Sequence, residues 1–404
     1  MTQSAPTATK PFPWIGLLVL AGAIFVSVTS EFLPTGLLPD MARELKVSES
    51  QIGLLITLFA GTVVLTAAPL TALTRRYSRK SLVIVVLVVF VLANLLAAIA
   101  PSYAVLAVAR IIGGLAHGLF WAVVGAYAGH LVPRHQIGRA VAVTSGGATA
   151  AFVLGVPLGT ALGHALGWRL AFGVIGAIVI VLVVLIMRFL PAVDHREPVK
   201  TGEIPLPLGR DSSVPGIIII CAITVIVMIG HNIFYTYIVP YLVGVSRFDE
   251  SAIAPLLFVY GGAGAVGLVL AGIVNDRYPR AGLVLAVALV ALAVLVIGIS
   301  PAVTWLVILT IVVWGLAFGG TPAILQTRLL HTASARIRDV ASAYFTTSFN
   351  VAIGGGALIG GIVLDRVSIT VLPFVDVAII VLGIVLIIAS DVWLRSRRHE
   401  PRRP

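Results

Sequence analysis

Charge is what this sequence has least of: Asp, Glu, Lys and Arg make up 11% of its 404 residues, against 59% hydrophobic ones. That leaves too little polar surface to coat a soluble globule, so a water-soluble fold is excluded. Cysteine is nearly absent. Cys221 stands alone in an apolar run, can form no intrachain disulfide and reads as packing, so it carries no information about redox compartment. Enzymatic signatures are missing as well: there is no GxSxG elbow, no HExxH zinc pair and no GxxxxGKS/T phosphate loop. Neither an enzyme nor a directly ATP-driven pump is expected, and no cofactor or metal. GAGAVG (262–267) has the glycine spacing of a dinucleotide loop, yet it lies inside an apolar run with no strand before it.

What the chain has in abundance is apolar runs about the length of a bilayer crossing, roughly 20 residues. Twelve are legible: 14–38, 51–73, 81–100, 103–130, 138–163, 167–190, 215–243, 251–275, 281–299, 302–330, 338–364 and 369–394. The first is too long for the apolar core of a secretory peptide and no small-residue cleavage site follows it, so it is expected to remain as a span. Bases outnumber acids, 27 to 16, giving a net charge of +11. With both termini placed in the cytoplasm, 21 of the bases fall on inner loops and tails, 5 on outer loops, and Arg110 within a span. The positive-inside rule favours that orientation. TRRYSRK (74–80) and the tail RSRRHEPRRP (395–404) then face an anionic leaflet, so the expected partner of the basic excess is the lipid bilayer rather than nucleic acid.

PAVDHREPVKTGEIPLPLGRDSSVPG (191–216) is the longest polar interruption and reads as a cytoplasmic linker. The expected organisation is a tail (1–13), a six-helix bundle (14–190), the linker (191–214), a second six-helix bundle (215–394) and a basic tail (395–404). The two bundles repeat each other at a shift of 201. RRYSRKSL (75–82) matches DRYPRAGL (276–283), GLAHG (114–118) matches GLAFG (315–319), and Pro39, Gly155 and Gly159 match Pro240, Gly356 and Gly360. Parallel repeats of six spans imply an axis along the membrane normal with a substrate site between the halves.

These features resemble the twelve-span major facilitator superfamily of transporters along essentially the whole chain. In the family's loop after the second span, the first copy TALTRRYSRK keeps Arg76, Arg79 and Lys80 but has Thr71 for a Gly, Arg75 for the Asp and Ser78 for the second Gly. The second copy, GIVNDRYPRA, keeps Gly272, Asp276, Arg277 and Arg280. LAVARIIGGLAHG supplies the fourth-span Arg110 ahead of Gly113 and Gly114. GGATAAFVLGVPLGTALG is similar to the antiporter signature of the fifth span, with Val156 intervening before Pro157. SEFLPTGLLPDMARELKVSESQIGLL, LGVPLG and GWRLAF look most like the drug and sugar efflux branch, which includes arabinose-type and chloramphenicol-resistance exporters. The resemblance implies an all-α membrane fold of two pseudo-symmetric six-helix bundles. It also implies proton antiport by alternating access, export of a sugar or drug-like solute, action as a monomer, and a proton-coupling role for Arg110.

The residues themselves point the same way. Glu31 is a lone carboxylate in the first span, expensive there when ionised and cheap when protonated, which suits a proton carrier. Arg110 and His117 are seven residues apart and share one helix face, so they are read with Glu31 as the proton-coupling set. The alternatives are that Glu31 satisfies backbone freed by Pro34, that Arg110 snorkels or ties neighbouring carbonyls, and that His117 is a plain interhelical hydrogen-bonder. Asn232 is the repeat partner of Glu31, and with His231 and Tyr235 it forms one turn suited to lining a substrate site, to which Asn94, Gln326 and Asn350 are added as interior polar candidates. Asp376, near the outer interface, reads as structural, and His130, His135, His164, His331 and His399 as solvated. Gly155, Pro157, Gly159 and Gly163, together with GGGALIGG (354–361), are read as smooth packing faces that permit close approach and sliding of the halves. Arg76, Arg79, Lys80, Asp276, Arg277 and Arg280 are read as a latch that closes the cytoplasmic side.

A proton-coupled exporter is therefore the leading expectation. A symporter or uniporter for uptake is the alternative within transport, and a non-transporting receptor or scaffold the alternative outside it. The topology is checked by fusing alkaline phosphatase, active only outside the cytoplasm, after Lys46 and within 191–214. The first fusion is expected to be active and the second inactive, and the reverse pattern would overturn the orientation.

Overall fold

The computed structural model describes residues 12–74, 76–133, 136–192, 211–278, 281–334 and 337–399. These residues form helices and short connections, with no strand among them. In the first half the helices are α1 (Trp14–Leu45), α2 (Glu49–Thr74), α3 (Arg79–Ala98), α4 (Tyr103–His130), α5 (Ile137–Ala150), α6 (Val156–Leu166) and α7 (Trp168–Phe189). In the second half they are α8 (Val214–Tyr235), α9 (Ile238–Gly244), α10 (Glu250–Arg277), α11 (Ala281–Ile299), α12 (Thr304–Gly319), α13 (Thr321–Thr332), α14 (Arg338–Arg366) and α15 (Leu372–His399). Twelve of the resulting helices or helix pairs are long and apolar enough to cross a membrane. All-α architecture and a twelve-span count thus agree with the sequence expectation.

The pairs arise where proline removes a backbone donor. Pro157 cannot bond the carbonyl four residues back, and the turn ahead of it widens into a π segment, Ala151–Gly155, that joins α5 to α6. Pro240 likewise separates α8 from α9, with Tyr237 leaving helical geometry (φ −109°, ψ 20°). Its repeat partner Pro39 lies in α1, where Leu37 is non-helical (φ −119°, ψ 15°) without a full break. First and seventh spans are therefore bent at equivalent places. The first helix outruns the predicted 14–38 by a polar turn and stops at Lys46, whose left-handed φ of 55° ends the helix.

Small residues set the approach of helices within the first half. A side chain at Gly147 would strike the backbone of Ala21, one at Gly155 would strike Thr29, and those at Gly159 and Gly163 would strike Leu33 and Leu37. All four neighbours belong to α1, so Gly155, Gly159 and Gly163, with buried Pro157 among them, pack α5 and α6 onto α1 inside one bundle. This corrects the expectation of a sliding face between halves. The close approach across the seam falls instead on the 354–361 face also expected, where Gly354 of α14 meets Thr57 and Ala60 of α2, and at Gly261 of α10, which meets Phe152.

The seam between halves is sealed on one side. The hydrogen bonds described across it are Arg43 to Glu250 (3.2 Å), Ser50 to Asp365 (2.6 Å) and Thr57 to the Gly354 carbonyl (2.9 Å). Arg43 and Ser50 flank the α1–α2 turn, at the face opposite the chain termini, which is called the distal face below. Tyr237 wedges into the same seal: its hydroxyl donates to the Ala357 carbonyl (2.8 Å), and it fills the space above Gly53 and Gly361. Toward the termini face Ser145 of α5 and Thr346 and Thr347 of α14 are exposed. Among the described residues, the hydrogen bonds across the seam lie in its distal half and none lies toward the termini face.

Adjacent glycines give a sharp check of the packing. Gly146 has nothing within 4 Å of where a Cβ would sit, whereas Gly147 faces the Ala21 backbone. In purified protein Gly146→Ala is expected to leave thermal unfolding unchanged or slightly raised. Gly147→Ala is expected to cost roughly 1–3 kcal/mol by overpacking, seen as a lower Tm.

Candidate functional site

Pro34 builds the first part of the site. Lacking an N–H, it leaves the Ser30 carbonyl without its helical donor in the middle of a membrane helix. Arg110 of α4 supplies that donor. Its guanidinium bonds the main-chain carbonyls of Ser30 (2.8 Å) and Glu31 (2.9 Å), and lies over the Phe59 ring at 4.2 Å. The charge thus braces backbone and contacts an aromatic face; it does not pair with the Glu31 carboxylate, as it would have to if it alone held that acid ionised. Arg110 Nε has no partner among the described residues and borders a cavity of about 10 Å³ shared with Ser30, Phe59 and Asn94, room for a water molecule and not for a sugar.

With the turn braced, Glu31 points at His117. The two side chains are 4% and 2% exposed, and Glu31 Oε2 lies 3.4 Å from His117 Nε2. The imidazole is held at both ends. Trp121 Nε1, which can only donate, reaches Nε2 at 2.7 Å, so the network assigns the ring hydrogen to Nδ1, where Ser27 Oγ accepts it at 2.8 Å. His117 is neutral in this arrangement. The indole already occupies the Nε2 lone pair, so the Glu31 carboxyl lies beside Nε2 without hydrogen-bonding it. Asn94 serves this turn indirectly, accepting from Ser30 Oγ (2.8 Å) and donating to the Phe90 carbonyl (2.8 Å).

The equivalent positions of the second half carry a different chemistry. His231 accepts from Trp314 Nε1 (3.2 Å) at Nδ1, stacks on Phe318 with centroids 3.4 Å apart, and stacks on Tyr235 at 5.1 Å. Tyr260 closes on both Trp314 (5.2 Å) and Tyr235 (5.3 Å). Across the seam Tyr235 meets Phe32 at 6.4 Å, which in turn packs on Phe152 at 4.9 Å. The result is an aromatic wall beside the Glu31 turn. Asn232 is buried and donates back to the Met228 carbonyl of its own helix (2.8 Å).

The remaining predicted residues are scattered. Asn350 is buried one turn below the Thr57 contact, its amide nitrogen on the Thr346 carbonyl and its oxygen without a partner among the described residues. Gln326 is exposed on α13, apart from the aromatic cluster. Of the latch set, Lys80 donates to the Met187 carbonyl at the end of α7 (2.9 Å), and Arg76 and Arg277 lie over the adjacent Tyr77 and Tyr278 rings. Arg79 begins α3, and none of these four has a described bond to the other half. Arg280 and the side chain of Asp276 lie outside the described residues, as do those of His130, His135 and His399. His164 is not simply solvated: its Nε2 is 3.2 Å from Asp40 on the distal face, where α6 leans on the end of α1. Asp376 is fully buried with neither carboxyl oxygen partnered among the described residues, its turn lying against Gly230 beside His231.

Sequence reasoning missed Ser27, Ser30, Trp121, Tyr260, Trp314 and Phe318. Two of them were signalled by the repeat, since Phe318 is the partner of His117 and Tyr260 the partner of Phe59 at the same shift of 201. Trp121 follows His117 by four residues and so shares its helix face.

Comparison with known proteins places this geometry in a family. The family model described as the Major Facilitator Superfamily matches residues 20–257 and 220–404. A probable sugar efflux transporter of Helicobacter pylori (strain P12) is 31% identical over 386 residues, covering 96% of each chain. A protein of the same description from Pasteurella multocida (strain Pm70) is 32% identical over 383 residues, covering 94% of this chain and 92% of its own. Among solved structures, a bacterial homolog of the human lysosomal transporter Spinster, inward-facing and occupied, superposes with a TM-score of 0.72 at 16% identity over 96% of this chain and 98% of that one. The human organic anion transporter MFSD10 (TETRAN) gives 0.70 at 16% identity over 94% and 100%. With two six-span repeats, a braced and buried Glu31–His117 pair and relatives of this similarity along nearly its full length, the chain belongs to the major facilitator superfamily and is a multi-pass membrane transporter.

Proposed function

We propose that this transporter exports a sugar from the cytoplasm in exchange for protons, with both termini on the cytoplasmic side of a bacterial inner membrane. The observation that carries the reading is the Glu31–His117 contact of 3.4 Å, two ionisable groups buried together inside the spans. A hydrophobic protein gains nothing in stability from such a pair. A carrier that must load and unload a proton does. The descriptions of the relatives support a sugar as cargo, and the excess of Lys and Arg on the termini side supports the orientation.

The wall formed by His231, Tyr235, Tyr260, Trp314 and Phe318 suits the cargo. Sugar rings present flat C–H faces that lie against aromatic rings, and hydroxyls that the amides and phenols can reach. The wall and the proton pair belong to different halves, joined across the seam by Phe32 and Tyr235. In the termini-open state the acid gives its proton to the cytoplasm and sugar enters; after the seam reverses, a proton from outside neutralises Glu31 and the sugar leaves. Alternation of this kind needs no cofactor beyond the proton gradient.

In proteoliposomes with an imposed pH gradient, wild type is expected to concentrate a sugar against its gradient. Glu31→Gln is expected to lower that pH-driven flux at least tenfold while sugar–sugar exchange continues. Unchanged pH-driven flux in Glu31→Gln would overturn antiport at this site, and sugar moving with the protons would mark a symporter. Phe318→Ala, which unstacks His231, is expected to raise KM for sugar roughly fivefold, the scale of one aromatic contact, with the proton dependence intact.

A further inference from the structure

We propose that Trp121 is the gate through which protons pass between His117 and the termini face. The proposal rests on the antiport reading and adds to it the residue that keeps the proton pathway shut between turnovers. His117 has one hydrogen, on Nδ1 toward Ser27, so Nε2 is its only basic atom, and the Trp121 N–H occupies that lone pair at 2.7 Å. Indole N–H cannot accept, and Nε2 cannot carry a hydrogen while receiving one. Proton and indole therefore exclude each other at this atom.

Position supports the assignment. Trp121 follows His117 by one turn of α4, about 6 Å nearer the termini face, where no hydrogen bond across the seam is found among the described residues. It is half-buried, whereas His117 and Glu31 are buried. Water entering from that side meets the indole first. Among the groups around His117, α1 presents Ser27 and Glu31, α2 presents the Phe59 ring at 5.1 Å, and α4 itself carries Arg110, which is bonded to the Ser30 and Glu31 carbonyls. Asn94 of α3 is bonded to Ser30, and the ionisable residue of α5 is Arg139 near its start. None of these offers Nε2 a second route to water.

Release toward the termini face then proceeds in two transfers. As the indole turns away, the Glu31 O–H bond breaks and its proton forms the Nε2–H bond, giving a carboxylate and an imidazolium. The imidazolium then passes that proton to water and the indole returns to the lone pair. Charge and protons balance with no other reactant. While the indole is in place His117 exchanges no proton, so the acid stays loaded.

Trp121→Phe keeps a ring and removes only the donor. In full-length protein labelled with ¹⁵N-histidine, the His117 signals are assigned by their loss in His117→Gln. Wild type is expected to show a neutral ring with its hydrogen on Nδ1. In Trp121→Phe the proton affinity of His117 is expected to rise roughly three- to tenfold, the worth of one hydrogen bond, and proton leak into sugar-free proteoliposomes to rise with it. An affinity within twofold of wild type, an unchanged leak, or a hydrogen on Nε2 would overturn the gate. Should Trp121→Phe fail to assemble, Trp121→Leu removes the same donor and is read the same way. Wild-type export indifferent to pH, with the His117 change still present, would instead sink the antiport reading alone.

Discussion

One unpaired carbonyl organises this protein. A proline in a membrane helix leaves a backbone oxygen that hydrocarbon cannot satisfy, and at Pro34 the oxygen belongs to Ser30. The fold answers with Arg110, whose guanidinium spans the Ser30 and Glu31 carbonyls. The bond ties α4 to the interrupted turn of α1 and fixes the direction in which Glu31 leaves its helix. It also brings α4 to a depth at which His117, seven residues further along, faces that acid. The charge is held in the membrane by two carbonyls and an aromatic face, which is how a fully buried guanidinium becomes tolerable.

The two halves share a backbone plan and divide the chemistry. At one shift of 201 residues, Ser30, Glu31, Phe59, Arg110 and His117 correspond to His231, Asn232, Tyr260, Ile311 and Phe318. The ionisable Glu31, Arg110 and His117 are replaced by Asn232, Ile311 and Phe318, while Ser30 is replaced by His231. Both halves bend at the matching Pro39 and Pro240, so the two turns are presented to the seam at similar depth although their side chains differ. Duplication supplies two equivalent positions, and divergence at those positions leaves a buried acid–base pair in one bundle and an aromatic cluster in the other.

The seam is held by polar contacts and by one wedge. On the distal face it is held by exposed or partly exposed polar contacts, Arg43 with Glu250 and Ser50 with Asp365, and by the Tyr237 wedge over glycines. An exposed ion pair such as Arg43 with Glu250 contributes little, so the buried Tyr237 bond and the glycine packing beneath it carry most of the seal. Tyr237 is buried in the seal and so takes no part in the aromatic wall, although it follows Tyr235 by two residues. Asp376, one turn from the distal start of α15, adds a second acid buried against α8 beside Gly230.

The amino-acid order by itself determined the membrane class, the twelve spans, the internal duplication and the presence of a costly acid and base, because each of these is a property of local composition or of spacing along the chain. Hydrophobic run length is set by bilayer thickness, and the repeat is visible as matched residues. Partners across helices are a different matter. That Arg110 bonds carbonyls instead of the acid, that Asn232 turns back on its own helix, that the fifth-span glycines serve α1 and not the opposite bundle, and that Trp121 caps His117 were decided by the tertiary structure. Each depends on which face of one helix meets which face of another, and a one-dimensional pattern of apolar residues in a lipid-soluble bundle leaves that rotation unspecified.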